Sequence, residues 1–138
     1  MKPHLLIISV FIAGVVSLSC TNNGSSPLLG TWMLTSEEVI DCDDSHEMYK
    51  ENIPCSDSVC FRITFRRDGK MKVDVRMGGA TNSWNETYSV VGNKISICDS
   101  SGCRAQGSFT ISEAQLMLAD TLEHGCLKKE YYKKLAAN

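Results

Sequence analysis

Cysteines are the residues of this chain whose type and number point most directly to chemistry. The 138-residue sequence contains seven, and six of them follow Cys20: Cys42, Cys55, Cys60, Cys98, Cys103 and Cys126. Two pairs are separated by four residues, which is not the usual spacing of zinc ligands. So many cysteines in a small chain are typical of an exported protein braced by disulfides, and an even number after Cys20 suits such a framework. We therefore predict disulfides and no metal site.

The spacing of these six cysteines favours some pairs without fixing the pairing. Cys98 and Cys103 flank a four-residue turn between two predicted strands, where opposite residues come close enough for a disulfide. The other candidate pairs are Cys55 with Cys60 and Cys42 with Cys126. Six cysteines allow 15 pairings, so the choice stays open at this point.

Catalytic machinery is not recognisable in the sequence. Beyond the first 20 residues the histidines are His46 and His124, and neither lies in a motif with a nucleophile and an orienting acid. There is no Gly-x-Ser-x-Gly elbow and no phosphate-binding loop. The acidic run from Asp41 to Glu47 lacks the alternating spacing of a calcium loop. We predict a protein that is not an enzyme and binds no cofactor.

The first 19 residues are predicted to be an export signal. Lys2 gives a positive start, and the run from Leu5 to Val16 is apolar but too short to remain as a membrane-spanning helix. The next residues, Ser17-Leu18-Ser19-Cys20, resemble the bacterial lipobox, with Ser17 in place of the usual leucine. The resemblance implies cleavage before Cys20, a lipid on its sulfur and an anchor in the outer membrane of a bacterial cell envelope. The alternative is an ordinary secretory signal, with Cys20 in a disulfide.

Composition after the signal is that of a globular domain. Residues 20–27 consist of Cys20 and a run of small polar residues, which favours a flexible tether. The predicted domain therefore spans residues 28–135. The whole chain is 43% hydrophobic and 22% charged, which is ordinary for a folded protein. Its net charge of −2 argues against nucleic acid as a partner.

Beyond the tether the apolar residues recur with a period of two, which predicts β-strands. The alternation is clearest over Lys70–Met77, and Arg67-Asp68-Gly69 before it favours a tight hairpin turn. We predict eight strands, the first at Leu29–Ser36, the fourth at Trp84–Val91 and the last at Cys126–Lys134. Seven follow one another through short loops, which implies antiparallel neighbours. The predicted fold is an all-β meander that closes into an eight-stranded barrel, and a β-sandwich is the alternative.

One predicted connection is much longer than the others. Glu37–Ser58 separates the first two strands by 22 residues, and structureless loops of that length are usually functional or tied down. This segment contains eight acidic residues and Lys50 as its single base, so its charge is near −7. The rest of the predicted mature chain is near +4, which gives the molecule a clear asymmetry of charge.

Lysines are concentrated in the last predicted strand, at Lys128, Lys129, Lys133 and Lys134. We interpret them as surface charges that keep the strand soluble. The alternative is contact with anionic lipid headgroups near the anchor.

The order of these elements resembles the lipocalin-like group of the calycin superfamily, in particular small bacterial lipoproteins. Gly30-Thr31-Trp32 opens the first strand as the Gly-x-Trp motif does in that family, and a tyrosine-rich strand, Tyr131-Tyr132-Lys133-Lys134, ends the pattern. The resemblance implies that Trp32 closes one end of the barrel. Family members often pack an arginine of the last strand on this tryptophan, whereas this strand has only lysines. The opening residues are also similar to the META domain, whose Gly-Cys-Asn signature is absent.

The lipocalin-like resemblance implies noncatalytic binding of a small apolar or amphipathic ligand at the open end of the barrel. The predicted lining residues are Phe65, Met77, Trp84 and Tyr88. The inward apolar side chains could instead fill the barrel, because eight strands enclose little more than their own side chains. The alternative function is a protein-interaction module, such as a hydrolase inhibitor, that meets a basic partner through the acidic segment.

Overall fold

The computed structural model describes residues 26–137, apart from the side chains of residues 105 and 106. The predicted signal, Cys20 and most of the tether lie outside these residues. The described chain has one short 3-10 turn, Ser45–Glu47, and nine strands. The strands are β1 (Gly30–Ile40), β2 (Tyr49–Asn52), β3 (Val59–Phe65), β4 (Lys70–Met77), β5 (Ala80–Val91), β6 (Lys94–Asp99), β7 (Gly102–Ser112), β8 (Gln115–Thr121) and β9 (Leu127–Lys134). No helix within residues 26–137 is long and apolar enough to cross a membrane.

Eight of the strands form a closed antiparallel barrel. Each strand from β3 to β8 pairs with the next, and β1 pairs with β3 on one side and β9 on the other. The β1–β9 ladder runs from Trp32 opposite Lys134 to Ile40 opposite Leu127. Because this ladder joins the first barrel strand to the last, the predicted barrel is confirmed and the β-sandwich alternative is excluded.

Strand β1 is longer than the sequence pattern indicates. Its first residues, Gly30–Met33, pair with β3, and Ser36–Val39 pair with the short strand β2, which lies outside the barrel ring. The predicted loop from Glu37 to Ser58 is therefore wrong in two respects. Its first residues, 37–40, belong to β1, and residues 49–52 form β2. The partners that hold residues 36–40 in a strand lie on β2 and far along the chain on β9, so local alternation does not reveal them.

The turn between β4 and β5 is shorter than predicted, so β5 begins earlier in the chain. Gly78 and Gly79 have φ values of +61° and +82°, the backbone that a two-residue hairpin of type I′ requires. Strand β5 therefore starts at Ala80 rather than at Trp84. Two glycines are sufficient for the turn because they adopt positive φ at little steric cost.

One end of the barrel, where β1 begins and β9 ends, is filled with buried side chains, and we call it the closed end. Trp32 is 0% exposed, and its Nε1 donates a hydrogen bond of 2.7 Å to the carbonyl oxygen of Leu28. The Nζ of Lys134 lies 5.1 Å from the Trp32 ring centroid, so a lysine supplies the cation–π contact here. Other buried apolar residues of this end are Leu28, Phe65, Met71, Ile95 and Leu116.

Candidate ligand-binding site

The opposite end of the barrel, which we call the mouth, contains a cavity open to solvent. Its volume is about 340 Å³, at the lower end of the range for small-molecule sites. The walls come from β1, β3, β4 and β9 and from the residue that follows β2. The lining residues are Leu34, Glu37, Ile53, Phe61, Arg62, Ile63, Val73, Lys128, Glu130 and Tyr132. The cavity is thus mostly apolar, with a few charged groups on one side.

Three of those charged groups, from Glu37, Lys128 and Glu130, form a connected network in the cavity wall. The Nζ of Lys128 lies 3.2 Å from Glu37 Oε2 and 2.9 Å from Glu130 Oε1. The hydroxyl of Tyr132 donates to Glu130 Oε2 over 2.9 Å, and the hydroxyl of Tyr49 donates to Glu37 Oε1 over 2.7 Å. One ammonium and two phenols therefore hold two carboxylates in fixed positions.

A β-bulge explains why Glu37 faces inward. The β1–β9 register shifts between Leu34 and Ser36, so that Leu34 lies opposite Tyr132 while Glu37 lies opposite Glu130. An extra residue in one strand reverses the face to which all following side chains point. Without the bulge, strict alternation from Leu34 would direct Ser36 and Glu38 inward. With it, Glu37 lies in the cavity wall.

The contacts of the network determine its charge state. Burial raises the pKa of Glu37, but the hydrogen bonds from Tyr49 and Lys128 outweigh burial and lower the pKa from its ordinary value of 4.5. Burial lowers the pKa of Lys128, but its contacts with Glu130 and Glu37 outweigh burial and raise the pKa from 10.5. Burial, reinforced by Glu130, holds the pKa of Tyr132 well above 10.0. At neutral pH Glu37 is therefore a carboxylate, Lys128 an ammonium and Tyr132 a neutral donor.

Two disulfides hold the acidic segment beside the mouth. Cys42 and Cys126, with Cα atoms 4.3 Å apart, join the end of β1 to the start of β9. Cys55 and Cys60, also 4.3 Å apart, fasten the returning chain to β3. The third disulfide links directly opposite residues of β6 and β7, with a Cα separation of 3.9 Å, and pairs Cys98 with Cys103. Each pair is among the candidate pairs named from the sequence, and every cysteine within residues 26–137 is paired.

The predicted lining residues occupy two different environments, and none of the four lines the mouth cavity. Phe65 is 2% exposed, and its ring makes an edge contact with Tyr88 at a centroid distance of 5.0 Å. The Tyr88 hydroxyl donates to the carbonyl oxygen of Arg66 over 2.9 Å, in the turn at the closed end. Met77 and Trp84 are 60% and 43% exposed. The structure therefore brings Phe65 and Tyr88 together and leaves Met77 and Trp84 apart from them.

The lysines of the last strand do not all serve as surface charges. Lys128 lies in the cavity wall, so the interpretation is wrong for this residue. Lys134 is exposed, and its ammonium also lies over the Trp32 ring. Lys128 and Lys134 alternate with Lys129 and Lys133, which accords with the pleat of a strand. Sequence reasoning missed Glu37, Lys128 and Glu130 as site residues. The available signal was the period of two along β9, which places Lys128, Glu130 and Tyr132 on one face.

Comparison with known proteins supports a fold and no family. No family model matches the sequence, and no curated protein matches it. Among solved structures the chain is similar to a lipocalin-like protein from Bacteroides uniformis ATCC 8492, with a TM-score of 0.50 and 20% sequence identity. The similarity covers 78% of this chain and 98% of that protein. This likeness and the closed eight-stranded barrel together establish that the chain has a lipocalin-like fold.

Proposed function

We propose that this protein is a noncatalytic carrier that binds a small apolar or amphipathic molecule in the mouth cavity. The observation that supports the proposal is the composition of that cavity. Apolar side chains such as Phe61 and Val73 offer a surface for a hydrocarbon or ring, and the network around Lys128 offers polar groups at fixed positions. Apolar walls with a few oriented polar groups are typical of ligand sites.

The size of the ligand is limited by the closed end. Leu28, Trp32, Ile95 and Leu116 are the largest fully buried side chains, and they occupy the barrel below the cavity. A ligand that enters at the mouth therefore has about 340 Å³ available and no continuation toward the closed end. A short chain or a single ring system suits this space better than a long acyl chain.

Native mass spectrometry of the exported protein tests this proposal. We expect an extra small-molecule mass that is lost on denaturation, or binding of an added octyl-chain compound to the bare protein. The denatured but unreduced chain should be lighter by six protons than the reduced chain, because three disulfides form. A bare mass, together with no binding of any octyl compound, contradicts the carrier function.

We further propose that the carrier is anchored to a bacterial envelope membrane through lipid on Cys20. The lipobox-like sequence before Cys20 supports the anchor, as does the pairing of all six later cysteines with one another. Two or more acyl chains would hold the protein firmly, at about 0.8 kcal/mol for each buried CH₂. Metabolic labelling with palmitate should mark the wild type and not Cys20→Ser. Equal labelling of the two proteins contradicts the anchor.

The acidic segment supports a second candidate function, inhibition of a basic hydrolase. Two disulfides restrain this segment, and its residues Asp41, Asp43, Asp44 and Glu47 are exposed. Steering by such charges weakens over a Debye length of roughly 8–10 Å at physiological salt. Inhibition of lysozyme, chosen as a basic hydrolase, should then appear at low salt and disappear at high salt. No inhibition at low salt contradicts this candidate.

A further inference from the structure

The charged side chains that face into the mouth cavity are more often negative than positive. Glu37 and Glu130 contribute two carboxylates, while Lys128 contributes one ammonium that contacts both of them. Arg62 also lines the cavity, but it alternates along β3 with the inward-facing Phe61 and Ile63, and its guanidinium extends to the other face of the strand, where Nη2 lies 3.9 Å from the Sγ of Cys55. Lys128 therefore has little attraction left for an entering anion, because the anion would meet two carboxylates around the same ammonium.

The rim of the cavity has the same sign of charge. Glu51 lies opposite Glu37 in the β1–β2 ladder, so the two side chains share a face of the sheet. Lys50, the one base in the segment from residue 37 to 58, lies 3.8 Å from Glu38 and is on the other face. A ligand that approaches the mouth thus meets an acidic rim before it reaches the acidic wall.

Carboxylates of the network retain the capacity to accept further hydrogen bonds. Each oxygen of Glu37 and of Glu130 accepts from one group, and a carboxylate oxygen has two lone pairs. A ligand that carries N–H groups can therefore bind both side chains without displacing Lys128. Hydrogen bonds of this kind, between charged partners, are the stronger ones in proteins.

We propose that the ligand of this site is a cationic amphiphile: a primary amine or other ammonium attached to a short apolar chain or ring. The ammonium lies between Glu37 and Glu130, and the apolar part lies against Leu34, Phe61 and Ile63. The inference rests on the proposed carrier function and names the chemical class of its ligand. Lys128 keeps the two carboxylates in place while the cavity is empty.

Three probes with the same chain distinguish this inference from the carrier function on which it rests. We would measure the affinity of the full exported protein for octylamine, octanol and octanoate by calorimetry at neutral pH and low salt. Octylamine should bind about tenfold more tightly than octanol and more tightly still than octanoate, since a charged hydrogen bond has this effect. If octanol binds but octylamine binds no more tightly than octanoate, the ligand class is overturned and the carrier function stands. If no probe binds and native mass spectra show the bare protein, both are overturned.

Variants of two adjacent residues test whether the preference for octylamine depends on a carboxylate of the cavity wall. Glu37→Gln removes a carboxylate from the cavity wall, and Glu38→Gln removes one from the next residue, on the outer face of the same strand. The two side chains are equally exposed, at 16%. Glu37→Gln should weaken the affinity for octylamine about tenfold and change the affinity for octanol by less than about twofold. Glu38→Gln should change neither affinity by more than about twofold. Equal effects of the two variants on octylamine overturn the inference.

The preference of the wild-type protein remains a test even where Glu37→Gln fails to fold. Lys128→Met offers a second variant, because it removes the single ammonium and leaves both carboxylates in the wall. This variant should increase the affinity for octylamine relative to the affinity for octanoate. A gain in octanoate affinity on loss of Lys128 contradicts the proposed arrangement.

Discussion

The two ends of the barrel are built from the same strands but from different side chains. At the closed end, inward positions are occupied by Trp32, Phe65 and Met71, all buried. At the mouth, inward positions of the same β1 and of β9 carry Glu37 and Lys128, which stay partly exposed. One end of a single continuous sheet therefore supplies stability, and the other end supplies a solvent-accessible site.

The change from one end to the other occurs at the β1 bulge. Before the bulge the strand sends Trp32 and Leu34 into the barrel, and both are buried. After it, the strand sends Glu37 inward, where Lys128 and Tyr49 hold the carboxylate. Bulges are frequent near functional sites because they redirect side chains. The bulge is therefore the local feature that makes the mouth polar.

The largest effect is expected from Trp32→Ala at the closed end. Loss of a fully buried indole and its hydrogen bond to Leu28 should lower the free energy of unfolding by about 4 kcal/mol. Urea denaturation measures this difference. A loss below about 1 kcal/mol would mean that the closed end is not the main source of stability.

The two disulfides at the mouth should differ in their effect on stability. The Cys42–Cys126 bond joins residues 84 apart, and the Cys55–Cys60 bond joins residues 5 apart. Because longer loops lose more entropy on cross-linking, replacing the first pair by serines should cost about 2 kcal/mol more than replacing the second. Urea denaturation of the two double variants compares them directly. Equal costs would indicate that native-state contacts, rather than loop length, govern these bonds.

Phe61→Ala is the mouth counterpart of Trp32→Ala. Phe61 is only partly buried, so the variant should lower the free energy of unfolding by about 1–2 kcal/mol, less than Trp32→Ala does. It should also weaken octanol binding about tenfold, since each 1.4 kcal/mol of lost contact is a factor of ten. Calorimetry and urea denaturation give the two values. Full binding by a destabilised Phe61→Ala protein would place the ligand outside the mouth.

The smallest effect is the pH dependence that Glu37 contributes. Because its pKa is lowered in the folded protein, the stabilisation is fully present above its ordinary value of 4.5 and is lost as the pH falls through the lowered folded value. The difference in unfolding free energy between wild type and Glu37→Gln should therefore shrink from neutral pH to about pH 3, by less than about 1 kcal/mol. Denaturation at a series of pH values measures it. A difference that grows as the pH falls contradicts the assigned contacts.

Much of the barrel was predictable because its strands alternate and its turns are short. The period of two over Lys70–Met77 and the Asp68-Gly69 turn indicate a hairpin from local residues alone. The same pattern predicts which residues lie opposite each other across a hairpin, such as Cys98 and Cys103. The buried residues at the closed end, near Trp32, are predictable from their hydrophobicity, because all of them are apolar.

The mouth was not predictable in the same way because its features depend on long-range pairing. Strict alternation along β1 does not indicate a bulge, so it does not direct Glu37 inward. The period of two along β9 separates Lys128 from Lys129, but the pairing of Lys128 with Val39 in the β1–β9 ladder is what shows which of the two faces turns inward. The predicted lining residues Met77 and Trp84 are apolar and on strands, yet they are exposed. Apolar character therefore located the core better than the site.

A nuclear magnetic resonance titration of the ¹⁵N-labelled protein with octylamine shows whether the mouth or the closed end binds the ligand. We predict that the amide signals of Glu37, Phe61 and Lys128 shift, while the indole N–H signal of Trp32, hydrogen-bonded to Leu28 at the closed end, does not. Shifts centred on Trp32, or no shifts in the mouth at saturating octylamine, would contradict the account.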